Sequence, residues 1–232
     1  MLTPLHNRAD AGRKLGLKLL RYANRGDVLV LGIPRGGVPV AFEVARALAA
    51  PLDVFIVRKL GAPGYHELAM GAIASGGARV INEDVVASLG IPHFAIERTI
   101  VLEEEEIERR EKAFRGRRPA IDVRGRIVIL ADDGMATGAS MLVAAKALRS
   151  LGPARIVVAS GVSSQSACSM VSEAADECVC VLEPDDLGAI SPWYEEFDQT
   201  GDQEVCALLA KADERPRLRS RRAHRTGDRK AS

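Results

Sequence analysis

The sequence predicts an α/β fold in which a parallel β-sheet is covered by helices on both sides. Apolar runs of four to six residues alternate with stretches of helical spacing, which is the pattern of strand–helix–strand units. The runs at 28–33 and 127–131 contain no charged residue, as expected of strands that are buried on both faces. The 232 residues, of which 47% are hydrophobic and 27% charged, suit one globular domain of this class.

The first half of the chain predicts two helices, two strands and an irregular stretch. Leu15, Leu19 and Tyr22 lie on one stripe of a helix. In chain order we predict a helix at 10–23, a strand at 28–33, a helix at 38–49 and a strand at 53–57. The next stretch, 58–77, contains five glycines and reads as less regular.

The second half begins with a long helix and then returns to alternating strands and helices. We predict helices at 92–115, 138–150 and 164–174, and strands at 127–131, 156–159 and 178–182. The acidic run at 103–106 is expected to be a solvated helix face. The long helix could form an interface, and a homodimer is a candidate assembly.

Charge is distributed unevenly along the chain, although the formal net charge is only +1. Residues 211–232 hold nine Lys or Arg and three Asp or Glu, with few apolar residues, so we expect a basic, mostly disordered tail that is solvated rather than bound to nucleic acid. No apolar segment is long enough to span a bilayer, and the first twenty residues do not resemble a signal peptide. These features predict a cytoplasmic protein without membrane contact.

The four cysteines do not form a recognisable metal motif. Cys168, Cys178, Cys180 and Cys206 contain no C-x-x-C pair, and histidines are few and scattered. Cys178 and Cys180 are two apart on a predicted strand and should point to one face. We interpret the cysteines as reduced core thiols, and we predict no dedicated metal site.

The stretch 127–140, IVILADDGMATGAS, carries the most specific chemistry. Asp132 and Asp133 follow a buried strand, and because burying a charge is costly, we expect them at the rim of the sheet, facing a ligand. The small-residue turn that follows suits a phosphate, because backbone N–H groups at a helix start can approach an anion closely. A plain strand–turn–helix with a capped helix start is the alternative. The turn consists of Gly134, Met135, Ala136, Thr137, Gly138, Ala139 and Ser140.

This order of strand, acid pair and Thr-Gly-x-Ser resembles the diphosphate-sugar motif of phosphoribosyltransferases of the common α/β class. The resemblance covers roughly 28–182 and is closest to stand-alone bacterial phosphoribosyltransferase-like proteins. It implies that Asp132 and Asp133 hold the ribose hydroxyls of phosphoribosyl diphosphate (PRPP) and that 134–140 binds its 5-phosphate. Neither GxxxxGK[ST] nor GxGxxG after a strand is present.

A second stretch, GIPRGGVPVA at 32–41, is similar to the family's pyrophosphate loop. Glycine permits close backbone approach to a ligand, and arginine is a bidentate phosphate donor. The resemblance assigns Arg35, Gly36 and Gly37 to the diphosphate. Alternatively, the turn only connects a strand to a helix.

A third stretch, VRKLGAPGYHELAMGA at 57–72, is similar to the Arg-Lys pair and mobile loop of purine-type members. The resemblance implies that Arg58 and Lys59 lie at the same rim and stabilise the leaving pyrophosphate. The glycine- and proline-rich piece would be a lid. Glu67 is a candidate for steadying the ribosyl cation or handling a base proton, and a surface acid is the plainer alternative.

The resemblance implies that the acceptor of the ribose 5-phosphate binds a variable hood, for which 183–200 is the candidate segment. Trp193 and Tyr194 could stack on a flat base, or they could simply dock the C-terminal helix. We predict one domain at 1–210, with the hood and the inserted loop and helix region attached to its core. Mg²⁺ is implied as a cofactor held mainly by the diphosphate.

The resemblance of these three stretches implies a pentosyltransferase of nucleotide salvage. A nitrogen acceptor, such as a nucleobase, would take ribose 5-phosphate from PRPP and release pyrophosphate. The expected catalytic residues are Asp132, Asp133, Lys59 and Glu67. The alternative is a non-catalytic regulatory module that senses PRPP or a nucleotide.

Overall fold

Two β-sheets and seven α-helices build the described part of the protein, which comprises residues 3–120 and 122–214 of a computed structural model, without the side chains of residues 66 and 67. The helices are α1 (Arg8–Lys18), α2 (Gly37–Leu48), α3 (Glu83–Ser88), α4 (His93–Arg115), α5 (Ala139–Ser150), α6 (Gln165–Val171) and α7 (Asp202–Asp213). The strands are β1 (Val28–Gly32), β2 (Leu52–Val54), β3 (Val57–Ala62), β4 (Tyr65–Ala74), β5 (Ala78–Ile81), β6 (Ile127–Met135), β7 (Arg155–Ser163) and β8 (Glu177–Leu182).

The larger sheet confirms the predicted parallel α/β architecture. Its five strands are parallel and run in the order β2-β1-β6-β7-β8. Strand β2, which follows β1 in the chain, lies on one side of β1, and β6 lies on the other side. The direction in which strands are added to the sheet therefore reverses between β1 and β6. Gly32 near the end of β1 pairs with Ala131 of β6. The loops that leave these two strands therefore emerge side by side, in the place where open α/β sheets bind ligands.

Alternating residues of the parallel strands fill two cores, one on each face of the sheet. Val28, Val30 and Ile129 pack on the face that carries α1, α2 and α7. Leu29 and Leu130 pack on the opposite face with α5 and α6. Because both faces are covered, these strands carry apolar residues at every position rather than at every second one.

The stretch 58–77, predicted to be irregular, instead forms most of an antiparallel hairpin. That it closes as a lid stays a prediction. β3 pairs with β4, and β4 with β5, in a separate three-stranded sheet. The two-residue turn between β3 and β4 places Gly64 at φ +77°, a conformation that suits glycine. Leu60 and Met70 are fully buried in the core that α4 shares. The glycines, which indicated irregularity in the sequence, therefore sit in or beside regular strands.

Helix α4 agrees with its predicted bounds, whereas α7 extends past a predicted domain boundary. Helix α4 occupies the stretch predicted at 92–115 and packs against β3 and β4. Helix α7 continues to Asp213, so the predicted domain boundary between 210 and 211 falls inside it. Residues 215–232 of the predicted tail lie outside the described residues.

Membrane-spanning helices are not found in the part of the chain that the structure describes, because none of its helices is both long and apolar enough.

Candidate functional site

The acid pair and the glycine loop meet at the edge of the parallel sheet. Asp132 and Asp133 lie in β6, which continues four residues beyond its predicted end, and both are half-buried. A Cβ at Gly37 would stand 2.5 Å from the carbonyl oxygen of Ala131 and 2.9 Å from Asp132 Oδ1. A Cβ at Gly36 would collide with the Asp133 carboxylate. The two glycines therefore allow the loop after β1 to lie directly on the acid pair.

Asp133 is held by a residue that sequence reasoning missed. Arg8, the first residue of α1, donates from Nε to Asp133 Oδ2 at 2.7 Å. Its guanidinium carbon lies 3.9 Å from the centre of the Phe197 ring, and its Nη1 donates to the carbonyl oxygen of Asp198. No local motif marks Arg8, because its partners are 125 or more residues away in the chain.

Asp132 has a different environment, although it is the neighbour of Asp133. Its Oδ1 accepts a hydrogen bond from the Asp133 backbone N–H at 2.9 Å, and it forms no ion pair with any residue in the described ranges. Burial, together with the charge of Asp133, raises the pKa of Asp132 well above its ordinary value. A ligand that brings hydroxyl donors or positive charge would stabilise the ionised form of Asp132.

Gly134 and Met135 still belong to β6, so the stretch predicted as a turn at 134–140 bends only after Met135 and then leads to an open helix start. Gly138 has φ +78° and precedes α5 without contributing a side-chain cap. Thr137 Oγ1 accepts only a long, 3.4 Å hydrogen bond from the Ala139 N–H. Thr137, Ala139 and Ser140 are exposed. The first amides of α5 therefore face outward with little capping, which is an arrangement that attracts anions.

Arg35 lies at the outer side of the glycine loop. The loop is a tight turn, in which Gly37 N–H donates to the Ile33 carbonyl and Val38 N–H to the Arg35 carbonyl, and the Pro34–Arg35 peptide is cis. The side chain of Arg35 is 44% exposed, and its Nη1 lies 3.6 Å from Asp202 Oδ1 at the start of α7. Such a weak, exposed contact leaves Arg35 able to turn towards an anionic ligand.

The sequence predicted that the Arg-Lys pair ends a strand of the parallel sheet, and this prediction is wrong. That strand, β2, stops at Val54, and Arg58 and Lys59 belong to β3 in the second sheet. Arg58 Nε donates to Glu103 Oε2 of α4 at 2.6 Å, so it links the hairpin to the long helix. Lys59 is exposed. The side chain of Glu67 lies outside the described residues.

Of the two hood aromatics predicted to stack on a base, Tyr194 has a different role, and stacking by Trp193 stays a prediction. Tyr194 is buried, lies 4.9 Å from Phe197 ring to ring, and donates from its hydroxyl to the Asp133 carbonyl at 2.7 Å. Burial raises the pKa of Tyr194, so this hydroxyl stays protonated. Trp193 is half-buried, and its carbonyl accepts from the Leu5 N–H. Tyr194 therefore fastens the hood and the N-terminal segment to the acid pair, rather than docking the C-terminal helix.

Replacing Tyr194 by Phe is expected to lower the free energy of unfolding by about 1 kcal/mol, the usual net contribution of one hydrogen bond. The ring packing is kept, so the change isolates the bond to the Asp133 carbonyl. Urea unfolding measures the loss. Tyr65→Phe is the control, because that ring is 62% exposed, and equal losses in both variants would contradict the assigned role.

Comparison with known proteins agrees with this geometry. The family model described as "Phosphoribosyl transferase domain" matches residues 1–196. Two Mycobacterium tuberculosis proteins, from strains CDC 1551 and H37Rv and each named "Putative phosphoribosyl transferase", are 43% identical over 206 residues, which is 89% of this chain and 46% of theirs. This chain thus spans about half the length of the curated relatives that it matches.

A solved structure gives the same result for the fold. The crystal structure of TT1426 from Thermus thermophilus is similar to this chain with a TM-score of 0.80 and 37% sequence identity, covering 90% of this chain and 99% of TT1426. The family match extends over the parallel sheet, the acid pair and the glycine loop. The chain therefore belongs to the phosphoribosyl transferase domain family.

Proposed function

We propose that this chain transfers ribose 5-phosphate from PRPP to a nitrogen acceptor, a nucleobase, and releases pyrophosphate. The observation that carries the proposal is the contact of Gly36 and Gly37 with the acid pair, beside the open start of α5. One edge of the sheet thus offers two carboxylates, a close-packed glycine loop and unpaired helix amides. A sugar diol flanked by two phosphate groups matches this set.

The binding roles follow from the chemistry of each group. Asp132 and Asp133 accept hydrogen bonds from the vicinal ribose hydroxyls, with Arg8 fixing the Asp133 carboxylate. The turn 134–140 and the first amides of α5 bind the 5-phosphate. Arg35, Gly36 and Gly37 bind the diphosphate through a guanidinium and close backbone approach.

In the reaction the acceptor nitrogen forms a bond to C1 of the ribose while the bond from C1 to the diphosphate oxygen breaks and pyrophosphate leaves with the electron pair. The protein contributes mainly by orienting the two reactants and by stabilising charge as it develops. Mg²⁺ bound to the diphosphate would offset the negative charge of the leaving group, and Asp132, a half-buried carboxylate without an ion pair among the described residues, suits a water-mediated contact to it. Lys59 and Glu67 remain predictions from the family resemblance.

Arg35→Ala is expected to weaken PRPP binding by roughly tenfold, which corresponds to about 1.4 kcal/mol. Binding of ribose 5-phosphate, which has no diphosphate, should change less than twofold, because Arg35 lies on the glycine loop rather than at the turn 134–140. Calorimetric titration of both ligands measures the difference. Arg13→Ala on the exposed side of α1 is the control, and equal losses for both ligands would reject the assignment.

A second candidate function is a non-catalytic module that senses PRPP or a nucleotide. The packing of Tyr194 and Phe197 favours it, because the two rings stack on each other and the Phe197 ring also contacts Arg8, so neither ring is presented to a base. Such a module would bind PRPP at the same edge but would lack a productive acceptor site.

The test of the proposed function is calorimetric titration of the full chain with PRPP, with and without Mg²⁺, followed by a nucleobase panel scored by pyrophosphate release. Binding together with base-dependent release supports the transferase. Binding without release for any base supports the sensing module. The absence of binding at millimolar PRPP would overturn both.

A further inference from the structure

Three of the four cysteines converge on the face of the parallel sheet that carries α5 and α6. Cys178 and Cys180 alternate with Val179 along β8 and therefore project to the same face. Cys168 reaches them from α6. The Sγ atoms are 2.6 Å apart for Cys168 and Cys178, 3.1 Å for Cys168 and Cys180, and 3.9 Å for Cys178 and Cys180.

We propose that Cys168, Cys178 and Cys180 bind one thiophilic metal ion of the Zn²⁺ class, with solvent as the remaining ligand. All three sulfurs lie within 4.8 Å of one another, and three thiolates are a preferred ligand set for such ions. The proposal departs from the interpretation of these three cysteines as reduced core thiols without a dedicated metal site. The proposal does not depend on the transferase reaction.

The geometry needs only one side chain to adjust. Zn–S bonds of about 2.3 Å in a tetrahedral site separate the sulfurs by about 3.8 Å. The Cys178–Cys180 separation of 3.9 Å already agrees with that value. Both short distances involve Cys168, so moving the Cys168 sulfur away from β8 lengthens both at once and opens the space for an ion.

Access to the cluster is consistent with a bound ion. Cys180 is 2% exposed, whereas Cys168 and Cys178 are half-buried. The inner sulfur is thus enclosed by the core, and the outer two border solvent. An ion can enter from that side and keep a water molecule there.

The cluster lies directly behind the turn at 134–140. Ser164, the residue before α6, donates from Oγ to the Ala136 carbonyl at 3.1 Å. Ala167 lies so close to Gly138 that a Cβ on the glycine would be 2.9 Å from the Ala167 carbonyl oxygen. A metal ion that joins α6 to β8 would therefore also hold the helix that supports this turn.

The first test measures Zn²⁺ binding to the reduced full chain by competition with a chromophoric chelator and by native mass spectrometry. We expect one ion per chain, and we expect Cys168→Ser to weaken its binding by at least a hundredfold. Cys206→Ser is the matched control, because Cys206 lies on α7 and donates to the Ala113 carbonyl, away from the cluster. Unchanged binding in Cys168→Ser, or no binding by the wild-type chain, would overturn the proposal.

A second test needs no variant and so does not depend on a variant folding. The wild-type chain is alkylated with and without Zn²⁺, and each cysteine is scored by peptide mass spectrometry. The proposal expects slower alkylation of the three cluster cysteines together, with Cys206 unaffected. Equal rates with and without Zn²⁺ would overturn it. So would a Cys168–Cys178 disulfide in a chain that binds no Zn²⁺ when reduced, because the cysteines would then be a redox pair.

Discussion

Replacing Arg115 by alanine is expected to lower the free energy of unfolding by about 3–5 kcal/mol, the range for removing one partner of a buried ion pair. The side chain of Arg115 is 6% exposed. Its Nε donates to Asp53 Oδ1 at 2.6 Å, and its Nη2 donates to the Val54 carbonyl at 2.8 Å. Its Nη1 lies 2.8 Å from Glu111. Alanine removes all of these contacts, including the charged hydrogen bond to the buried carboxylate of Asp53.

Urea unfolding of two neighbouring arginine variants measures this loss. Arg117 is exposed, so Arg117→Ala should change stability by no more than about 0.5 kcal/mol. The double variant Asp53→Asn with Arg115→Met should recover part of the loss, because both charges of the buried Asp53–Arg115 pair are then removed together. If Arg115→Ala were as stable as Arg117→Ala, the ion pair would not be what joins the end of α4 to the edge strand β2.

The same helix shows where a charge pattern can mislead. The acidic run at 103–106 is predicted to be a solvated face, and this holds for Glu105, which is exposed, and for Glu106, which pairs with Arg110 on the same helix. Glu103 instead pairs with Arg58 of β3, and Glu104 pairs with Arg79 of β5 at 2.7 Å. These partners come from the second sheet, which the sequence pattern did not indicate. A charge run can therefore be interpreted only once the surface opposite it is known.

The parallel sheet was predictable because its strands are buried on both faces and so read as uninterrupted apolar runs. The end of β6 was not predictable in this way. The apolar run stops at Ala131, but Asp132 pairs with Ser160 and Gly134 with Val162 in β7. The ladder of backbone hydrogen bonds thus continues through the acid pair.

The residues of the site that could not be predicted from the sequence are held by contacts between distant parts of the chain. The acid pair and glycine loop carry local signals, and the structure does bring them together. Arg8 reaches Asp133 across 125 residues, and Cys168 reaches β8 from a helix. The spacing of residues in the sequence predicts which side chains are neighbours on one helix or strand. It cannot predict contacts between side chains on two elements that are distant in the sequence.

Asp132→Asn is expected to weaken PRPP binding by roughly 10- to 100-fold and at the same time to raise the free energy of unfolding at neutral pH. The affinity loss corresponds to hydrogen bonds with a charged acceptor, worth about 1.5–3 kcal/mol. Asparagine can still accept the hydrogen bond from the Asp133 N–H, so the backbone of β6 should be unchanged. Calorimetry with PRPP and urea unfolding measure the two effects on the same samples.

The gain in stability has a definite pH dependence. Burial and the charge of Asp133 raise the folded-state pKa of Asp132 above its ordinary value of 3.8. Between the ordinary and the raised pKa, the folded chain binds more protons than the unfolded chain. The free energy of unfolding of the wild type therefore falls as pH rises through this window, and it stays at the lower value above the raised pKa. Asparagine does not titrate, so the stability difference between variant and wild type should grow with pH through that window.

Asp84→Asn, in the exposed first turn of α3, is the matched control and should leave PRPP affinity unchanged. Two results would separate the claims about Asp132. Normal PRPP affinity in Asp132→Asn would remove the ribose-binding role but leave the electrostatic argument intact. Lower stability at neutral pH would mean that the ionised carboxylate is already compensated in the free protein. Ionised Asp132 would then not destabilise the free protein, and it would need no ligand with hydroxyl donors and positive charge to stabilise it.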